Sequence, residues 1–276
     1  MTTGDRVFAD TMAELTWNEA ELAAKRGAVV LWAFGVVEQH GPHLPTGTDF
    51  LLPSARLRRV KKTLSERGIE SVIVPPYYWG VNHSSASFPA SFKVRPEIMI
   101  ELVCDVLSSL AGDGFRRVFC VTGHGDATHN RAIHTAAKRS AEKEGIDISF
   151  LAEEGLIKRL QIDIADPNVT IYRGPQASPP PKFPDIHAGR GETAAMLEFF
   201  PDLVRHQKLA DLNPVDFTME QLTEWRRGYD FSRRLTPLGY VGNPSQARLD
   251  DGIRDNEATV LAMVNAIEAR VRASAA

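Results

Sequence analysis

The chain has 276 residues, of which 43% are hydrophobic and 24% are charged, as in an ordinary soluble globular protein. Its formal net charge of −3 lacks the strong basic character that nucleic-acid binding or anionic-membrane binding requires. The first twenty residues are acidic rather than signal-like, and no apolar run approaches the ~20 residues of a membrane span. We therefore expect a cytoplasmic protein with no nucleic-acid or membrane partner.

Helices and buried strands are predicted to alternate through the first half of the chain. In order, these are a helix at 8–25, a strand at 28–34, a helix at 50–66, a strand at 72–74 that stops at Pro75, a helix at 96–110, a strand at 117–122, a helix at 131–144 and a strand at 146–151. Such alternation predicts an α/β fold in which helices cover both faces of a mostly parallel sheet.

The second half has a different pattern. Residues 163–186 are irregular and rich in proline, which predicts a long ordered loop, a lid or a subunit-contact arm. Further helices are predicted at 191–200 and 255–272. Because no internal repeat or low-complexity linker is present, we expect one domain over residues 1–276.

The loop after the first strand carries the clearest chemical pattern. Glu38 and His40 lie two residues apart, so at the end of an extended strand both side chains leave from the same face. Asp49 follows after enough residues to fold back over them. Two carboxylates and an imidazole that converge at a strand end can bind a metal, although a polar loop without a site is the simpler alternative.

Other polar loops are expected at the same edge of the sheet, because ligands bind beyond the carboxyl ends of parallel strands. One contains Asn82 and His83, and another contains His124 between two glycines, followed by Asp126. A later segment adds His187 and Glu192. The candidate ligands are nitrogen and oxygen donors suited to zinc, manganese or iron: Glu38, His40, Asp49, His124 and Glu192. A carboxylate that bridges two metal ions would use all five.

These segments resemble the creatininase (creatinine amidohydrolase) family. The resemblance covers residues 15–200 and depends on three motifs: Glu-Gln-His-Gly-Pro-His-Leu-Pro at 38–45 leading to Asp49, Gly-His-Gly at 123–125, and His-Ala-Gly at 187–189 leading to Glu192. It implies a three-layer α/β/α sandwich and a hydrolase that uses two divalent ions per chain, as zinc, manganese or iron, to attack amide bonds. It also implies a homo-oligomer, since some members form hexamers.

The resemblance also implies roles for the ligands. It places Glu38 and His124 on one metal, His40 on the other and Asp49 between the two. The fifth ligand is either Glu192 or Asp126.

Of these two we favour Glu192, which we also count among the catalytic residues. His187 corresponds to a family histidine near the scissile bond, so we expect it to transfer a proton to the leaving group.

A small-molecule substrate is expected to contact five side chains: Tyr78, Trp79, Asn82, His83 and Phe183. The tryptophans that hold creatinine in creatininase have no clear counterpart here. Phe183 is near one of their positions, whereas Trp225 is expected to pack in the core. Creatinine is therefore not the expected substrate.

Three functions follow from these observations. The first is hydrolysis of a small polar amide or lactam by a metal-activated hydroxide. The second is ring opening of a cyclic sugar-like ketone or lactone, such as a dehydro-inosose, by the same centre. The third, from another class, is a metal-binding assembly protein without turnover.

Overall fold

A five-stranded sheet forms the centre of the computed structural model, which describes residues 7–175 and 184–273. The strands are β1 Val29–Phe34, β2 Ser71–Tyr77, β3 Arg117–Thr122, β4 Asp147–Glu153 and β5 Val169–Tyr172. Their order is β2-β1-β3-β4-β5, and every neighbouring pair is parallel. The α/β fold class is therefore confirmed.

Helices cover both faces of this sheet. In the described residues they are α1 Trp17–Lys25, α2 Thr48–Glu66, α3 Pro96–Gly112, α4 Ala127–Glu144, α5 Glu154–Leu160, α6 Arg190–Phe199, α7 His206–Ala210, α8 Met219–Trp225, α9 Tyr229–Leu235 and α10 Leu249–Ala273. None of them is long and apolar enough to cross a membrane.

Alternate residues of β1 belong to opposite layers of the core, as the two-residue period of a strand requires. Trp32 and Phe34 pack in the layer that contains buried side chains of α3 and α4. Leu31 and Ala33 pack in the layer that contains buried side chains of α2 and α10. The central strand is therefore apolar throughout and buried on both faces.

The strand order positions the functional site. From β1 the chain crosses to β2 on one side and then returns to β3 on the other side of β1. A crevice opens beyond the carboxyl ends of the strands where the winding reverses in this way, and ligands of open α/β sheets bind there. The loop after β1, the first turn of α2 that follows it and the loop after β3 carry four of the five candidate ligands.

Several predicted boundaries were wrong. The first α-helix begins at Trp17 rather than residue 8, because a capping box starts it there: the backbone N–H of Thr16 donates to the Glu19 carboxylate at 2.7 Å. Strand β2 continues through Pro75 and Pro76 to Tyr77. Proline lacks a backbone donor, and β2 tolerates it because it is an edge strand.

The proline-rich region contains more regular structure than predicted. Residues 169–172, expected to be irregular, form the edge strand β5, and the unpredicted helix α5 precedes it. Residues 176–183 lie outside the described residues, so the lid or subunit-contact arm stays a prediction there. The last helix begins at Leu249 instead of residue 255.

Candidate active site

The first turn of α2 lies directly against the ends of β1 and β3, and two glycines make this approach possible. A Cβ built on Gly35 would lie 2.5 Å from the backbone oxygen of Asp49, and one built on Gly123 would lie 2.1 Å from the same atom. Any larger residue would displace this turn. Gly125, by contrast, has nothing within 4 Å of the corresponding point, so of the two glycines beside His124 only Gly123 makes this close contact.

Asp49 lies between two imidazoles. Its Oδ1 is 3.1 Å from Nε2 of His40, and its Oδ2 is 2.8 Å from Nδ1 of His124. The carboxylate is buried, with 2% of its surface exposed. Because each oxygen faces a different histidine, one carboxylate belongs to two ligand groups.

The two groups each contain a second carboxylate. In one, Glu38 Oε1 lies 3.2 Å from Nδ1 of His124; in the other, Glu192 Oε2 lies 4.0 Å from Nε2 of His40. Within each of these two groups of three, and within a third made of Glu38, His40 and His187, the ligand atoms lie within 4.8 Å of one another, which is close enough to surround a cation. The structure thus brings together the five ligands considered from the sequence.

Backbone groups hold two of these ligands in position. His40 donates its Nδ1–H to the carbonyl of Glu38 at 3.1 Å, which leaves Nε2 facing the carboxylates. Ala188 donates its N–H to Glu192 Oε2 at 2.6 Å. Ala188 has a φ of 48°, which is costly for a residue with a side chain and typical of a constrained functional segment. Such contacts orient metal ligands before the metal binds.

The electrostatics of the cluster favour a cation. Burial alone lowers the pKa of His40, but the charge and hydrogen bond of Asp49, with Glu192 and Glu38, outweigh it and raise the pKa to about 10. The pKa of His124 is raised for similar reasons, by Glu38 and Asp49 against the effect of burial. Without a metal, protons on these imidazoles would have to balance the buried carboxylates. A divalent ion supplies the same charge, so the residues fit the implied metal.

A hydrogen-bonded pair behind the cluster supports Glu38. Ser85 donates its hydroxyl to Glu38 Oε2, and Asn82 donates its side-chain amide to Ser85 Oγ at 2.9 Å. Both residues are buried, with 1% of their surface exposed. Asn82 was predicted to contact substrate, but it does not line the cavity and instead buttresses a ligand through Ser85. The sequence reasoning missed Ser85 because a serine in a turn has many ordinary uses.

His187 lies beside the cluster. Its Nε2 is 2.8 Å from the backbone oxygen of Gln39 and 3.1 Å from the side-chain nitrogen of the same residue, while Nδ1 is 3.7 Å from Glu38 Oε1. Its ring centroid lies 4.4 Å from that of His40 and 6.0 Å from that of Trp225. Gln39 therefore fixes one side of the imidazole, and Nδ1 faces the ligands.

Asp126, the alternative fifth ligand, occupies a different position. Its Oδ1 caps α4 by accepting the backbone N–H groups of Thr128 at 2.7 Å and His129 at 3.0 Å. Its Oδ2 lies 3.2 Å from Nδ1 of His83. Both oxygens are thus occupied, and Asp126 belongs to none of the ligand groups found in the described residues. The geometry favours Glu192.

The remaining predicted substrate contacts divide into three cases. His83 lines the cavity above the cluster, which has a volume of about 710 Å³. Tyr78 and Trp79 lie outside that cavity, in a row of aromatic rings, and Trp79 is 47% exposed. Phe183 lies outside the described residues.

Two buried residues have roles that the sequence left open or did not indicate. Trp225, expected in the core, is buried but also lines the cavity beside His187. No local pattern could place it there, because it comes from a short helix far along the chain. His43, which follows His40 in the same loop, places Nε2 2.9 Å from Thr193 Oγ1 on α6. Burial lowers the pKa of His43 to about 4, so it stays neutral beside His40.

Comparison with known proteins identifies the family of this chain. The creatininase (creatinine amidohydrolase) family model matches residues 13–267. Creatinine amidohydrolase of Pseudomonas putida is 30% identical over 221 residues, which cover 75% of this chain and 78% of the relative. Mycofactocin precursor peptide peptidase of Mycobacterium ulcerans is 28% identical, with 82% of this chain and 78% of the relative covered.

More distant similarities agree with this result. The 3-dehydro-scyllo-inosose hydrolase of Thermotoga maritima is 24% identical, with 86% of this chain and 70% of the relative covered. A solved structure of manganese creatininase has the same fold, with a TM-score of 0.73 at 22% sequence identity. The superposition covers 95% of this chain and 98% of the creatininase chain. The family model, the relatives and the shared fold together show that the chain belongs to the creatininase family.

Proposed function

We propose that this protein is a metal-dependent hydrolase of a small polar amide or lactam. The observation that carries the proposal is the position of Asp49, whose two oxygens face two separate ligand groups. Relatives named as an amidohydrolase and a peptidase both act on amide bonds, which supports this bond class.

The residues of this chain that would hold two divalent ions form two sets that share Asp49. Glu38 and His124 complete one set, and His40 and Glu192 complete the other. Two bound cations would lower the pKa of water and polarise the carbonyl that it attacks. Zinc, manganese and iron suit these ligands, and solved creatininases with manganese or with two zinc ions support that range.

His187 is the proposed proton carrier. Cleavage of an amide needs a proton at the leaving nitrogen, and imidazole can hold and release one near neutral pH. Nδ1 faces the cluster, whereas Gln39 occupies the other side of the ring. The side chain can therefore move a proton between the attacking water and the leaving group while its orientation stays fixed.

The cavity suits a small substrate, since its volume of about 710 Å³ is within the range for small-molecule sites. Trp225 provides an aromatic wall beside His187. Among the described residues no second tryptophan lines the cavity, and creatinine stays outside the proposed substrate class.

A second candidate is ring opening of a cyclic sugar-like ketone or lactone. The similarity to 3-dehydro-scyllo-inosose hydrolase favours it, and the same metal ligands and His187 would serve that reaction. A metal-binding assembly protein without turnover would keep the ligands but would hydrolyse neither class.

One experiment separates these functions. The full chain is loaded with Zn²⁺ or Mn²⁺ and assayed against a panel of small amides, lactams, sugar lactones and cyclic polyol ketones. Hydrolysis of amides or lactams that stops on chelation supports the proposal. Turnover confined to lactones or cyclic ketones supports the second candidate, and metal binding without any turnover would contradict both.

A further inference from the structure

Four arginines line the cavity that contains the ligand cluster: Arg56, Arg159, Arg226 and Arg227. Arg56 is engaged within the fold, because its Nε–H donates to Asn256 Oδ1 at 2.8 Å. The other three come from the ends of α5 and α8, two elements that are distant in sequence. They form what we call the arginine cluster (Arg159, Arg226 and Arg227).

The arginine cluster is anchored to the reacting part of the site. Arg159 donates from Nη2 to the carbonyl of Gly125 at 2.9 Å, one residue beyond the ligand His124. Arg226 directly follows Trp225, whose ring contacts that of His187. These guanidinium groups therefore belong to the same pocket as the ligand cluster and are not part of a remote surface.

The turn that carries Arg226 and Arg227 is also fixed. A Cβ on the following Gly228 would lie 2.3 Å from the carbonyl oxygen of His83, and Tyr229 donates its N–H to that oxygen at 3.0 Å. Gly228 has a φ of 73°, which favours glycine. The turn is thus locked onto a residue that lines the cavity.

The charges of the arginine cluster are not matched by the protein. Across the described residues none of the three guanidinium groups has a carboxylate within 4.0 Å, and Arg227 stacks on the Phe231 ring at 3.7 Å. Arg159 is exposed at the rim of the cavity; desolvation by its surroundings and the like charge of Arg226 lower its pKa, while the charge of Asp126 raises it.

Two acidic side chains of the same cavity have other roles. The carboxylate of Asp185 accepts the N–H groups of Arg190 and Gly191, each at 2.7 Å, and Asp126 caps α4. Neither carboxylate forms an ion pair with the arginine cluster among the described residues, although the charge of Asp126 raises the pKa of Arg159. Adjacent guanidinium groups repel each other, and a carboxylate or phosphate that bridges them relieves the repulsion through charge-assisted hydrogen bonds.

We propose that the arginine cluster binds an oxyanionic group of the substrate, a carboxylate or a phosphate, placed away from the bond that is cleaved. This inference rests on the proposed function and narrows its substrate class to anionic amides or lactams. Creatinine carries no such group. Arg159 and Arg226 would then determine specificity without taking part in the chemistry.

Matched substrate pairs test the proposal. The carboxylate pair is N-formylglycine and its neutral amide, and the phosphate pair is N-formylethanolamine phosphate and N-formylethanolamine. The metal-loaded full chain is compared with Arg159→Gln, Arg226→Gln and the control Arg139→Gln, whose guanidinium pairs with Glu101 at 2.8 Å on the surface. Steady-state kinetics gives kcat/KM, and calorimetric titration gives the affinity for each compound.

We expect the charged member of one pair to have a kcat/KM about tenfold or more above its neutral partner, as charge-assisted hydrogen bonds predict. The pair that shows the preference identifies carboxylate or phosphate. Each cluster variant should lower kcat/KM for the charged member about tenfold or more beyond any loss for its neutral partner, so that the preference disappears, and Arg139→Gln should change neither.

The outcomes separate this proposal from the proposed function. Equal turnover of charged and neutral members overturns the anion site and leaves amide hydrolysis standing. If the arginine variants lose kcat/KM equally for the charged and the neutral member, the arginines have a structural role, and this result also overturns the anion site. Tight binding of a charged member that the variants abolish, with no hydrolysis of any compound, supports the anion site and contradicts the proposed function.

Discussion

Replacing Ser85 with alanine removes one hydroxyl that supports a proposed metal ligand. Ser85 donates to Glu38 Oε2 in a buried pair, and no cavity-lining role competes with that contact. In Ser85→Ala the Glu38 carboxylate keeps its contact with His124 but loses the donor that fixes its second oxygen. The backbone N–H of residue 85 still reaches Asn82, so the turn keeps one of its hydrogen bonds.

The size of the effect follows from the charge on the acceptor. A hydrogen bond to a charged group contributes about 1.5–3 kcal/mol. Since about 1.4 kcal/mol is a factor of ten, the loss corresponds to roughly 10–150-fold in affinity. Substitution of outer partners of metal ligands typically weakens metal binding by about 10–100-fold. We therefore expect Ser85→Ala to bind Zn²⁺ or Mn²⁺ about 10–100-fold more weakly than the unmodified chain.

Competition with a chelator measures this affinity. The matched control is Ser87→Ala, which lies in the same loop but donates to the backbone oxygen of Tyr229 at 2.9 Å. Circular dichroism of the metal-free proteins checks that all three are folded. An unchanged affinity in Ser85→Ala, or an equal loss in Ser87→Ala, would refute the assignment of Ser85 as support for a metal ligand.

Further predictions concern the fold, the proton carrier, pH and assembly. Gly123→Ala should lower the unfolding free energy by about 1–3 kcal/mol through its clash with the Asp49 backbone, whereas Gly125→Ala should stay within about 0.5 kcal/mol in the same denaturant titration. His187→Gln should keep its metal content by elemental analysis but lose about 100–10,000-fold in kcat; loss of metal alone, with full turnover after metal is restored, would contradict that role. Burial and the charge of His124 lower the pKa of His129 from 6.5 to about 3. Between these two pH values only the unfolded state takes up a proton on this imidazole, so the free energy of unfolding decreases as the pH is lowered. His129→Leu has no imidazole to protonate at this position. Between pH 7 and 4.5 the free energy of unfolding of the metal-free unmodified chain should therefore fall by about 2–3 kcal/mol more than that of the variant; equal decreases would contradict the assignment of a neutral buried imidazole. We also propose a homo-oligomer, a hexamer by family resemblance, and light scattering that gives the mass of a monomer would exclude it.

Local patterns were sufficient for the elements that position the site. The apolar run of β1 and the helical periodicity of α2, α3 and α4 are properties of adjacent residues, and the structure places these elements close to the predicted bounds. Strand β5 and the continuation of β2 through Pro75 were missed because both depend on position at a sheet edge. Edge position is a property of the whole sheet, and no short segment encodes it.

The site shows the same division between local and long-range information. Glu38, His40 and Asp49 lie within twelve consecutive residues after β1, so their convergence could be predicted from spacing and from where parallel strands place the segments that follow them. The choice between Glu192 and Asp126 needed the structure, because an aspartate at the start of a helix is equally suited to capping.

Residues that reach the cavity from distant helices gave no local signal. Trp225 was expected in the core, and only the fold brings it beside His187 and places Arg226 at the same cavity. Asn82 was predicted to contact substrate, whereas its support of Glu38 through Ser85 depends on a contact across 47 residues that the local sequence does not reveal.

The number of divalent ions per chain tests the central claim most directly. Purified protein is loaded with Zn²⁺ or Mn²⁺, freed of excess metal and analysed by elemental mass spectrometry beside Asp49→Asn. Because Asp49 is the carboxylate common to the two proposed metal sets, we predict two ions per chain in the unmodified protein and fewer than two in the variant. One ion per chain, or a variant that still binds two with unchanged affinity, would contradict a shared site centred on Asp49.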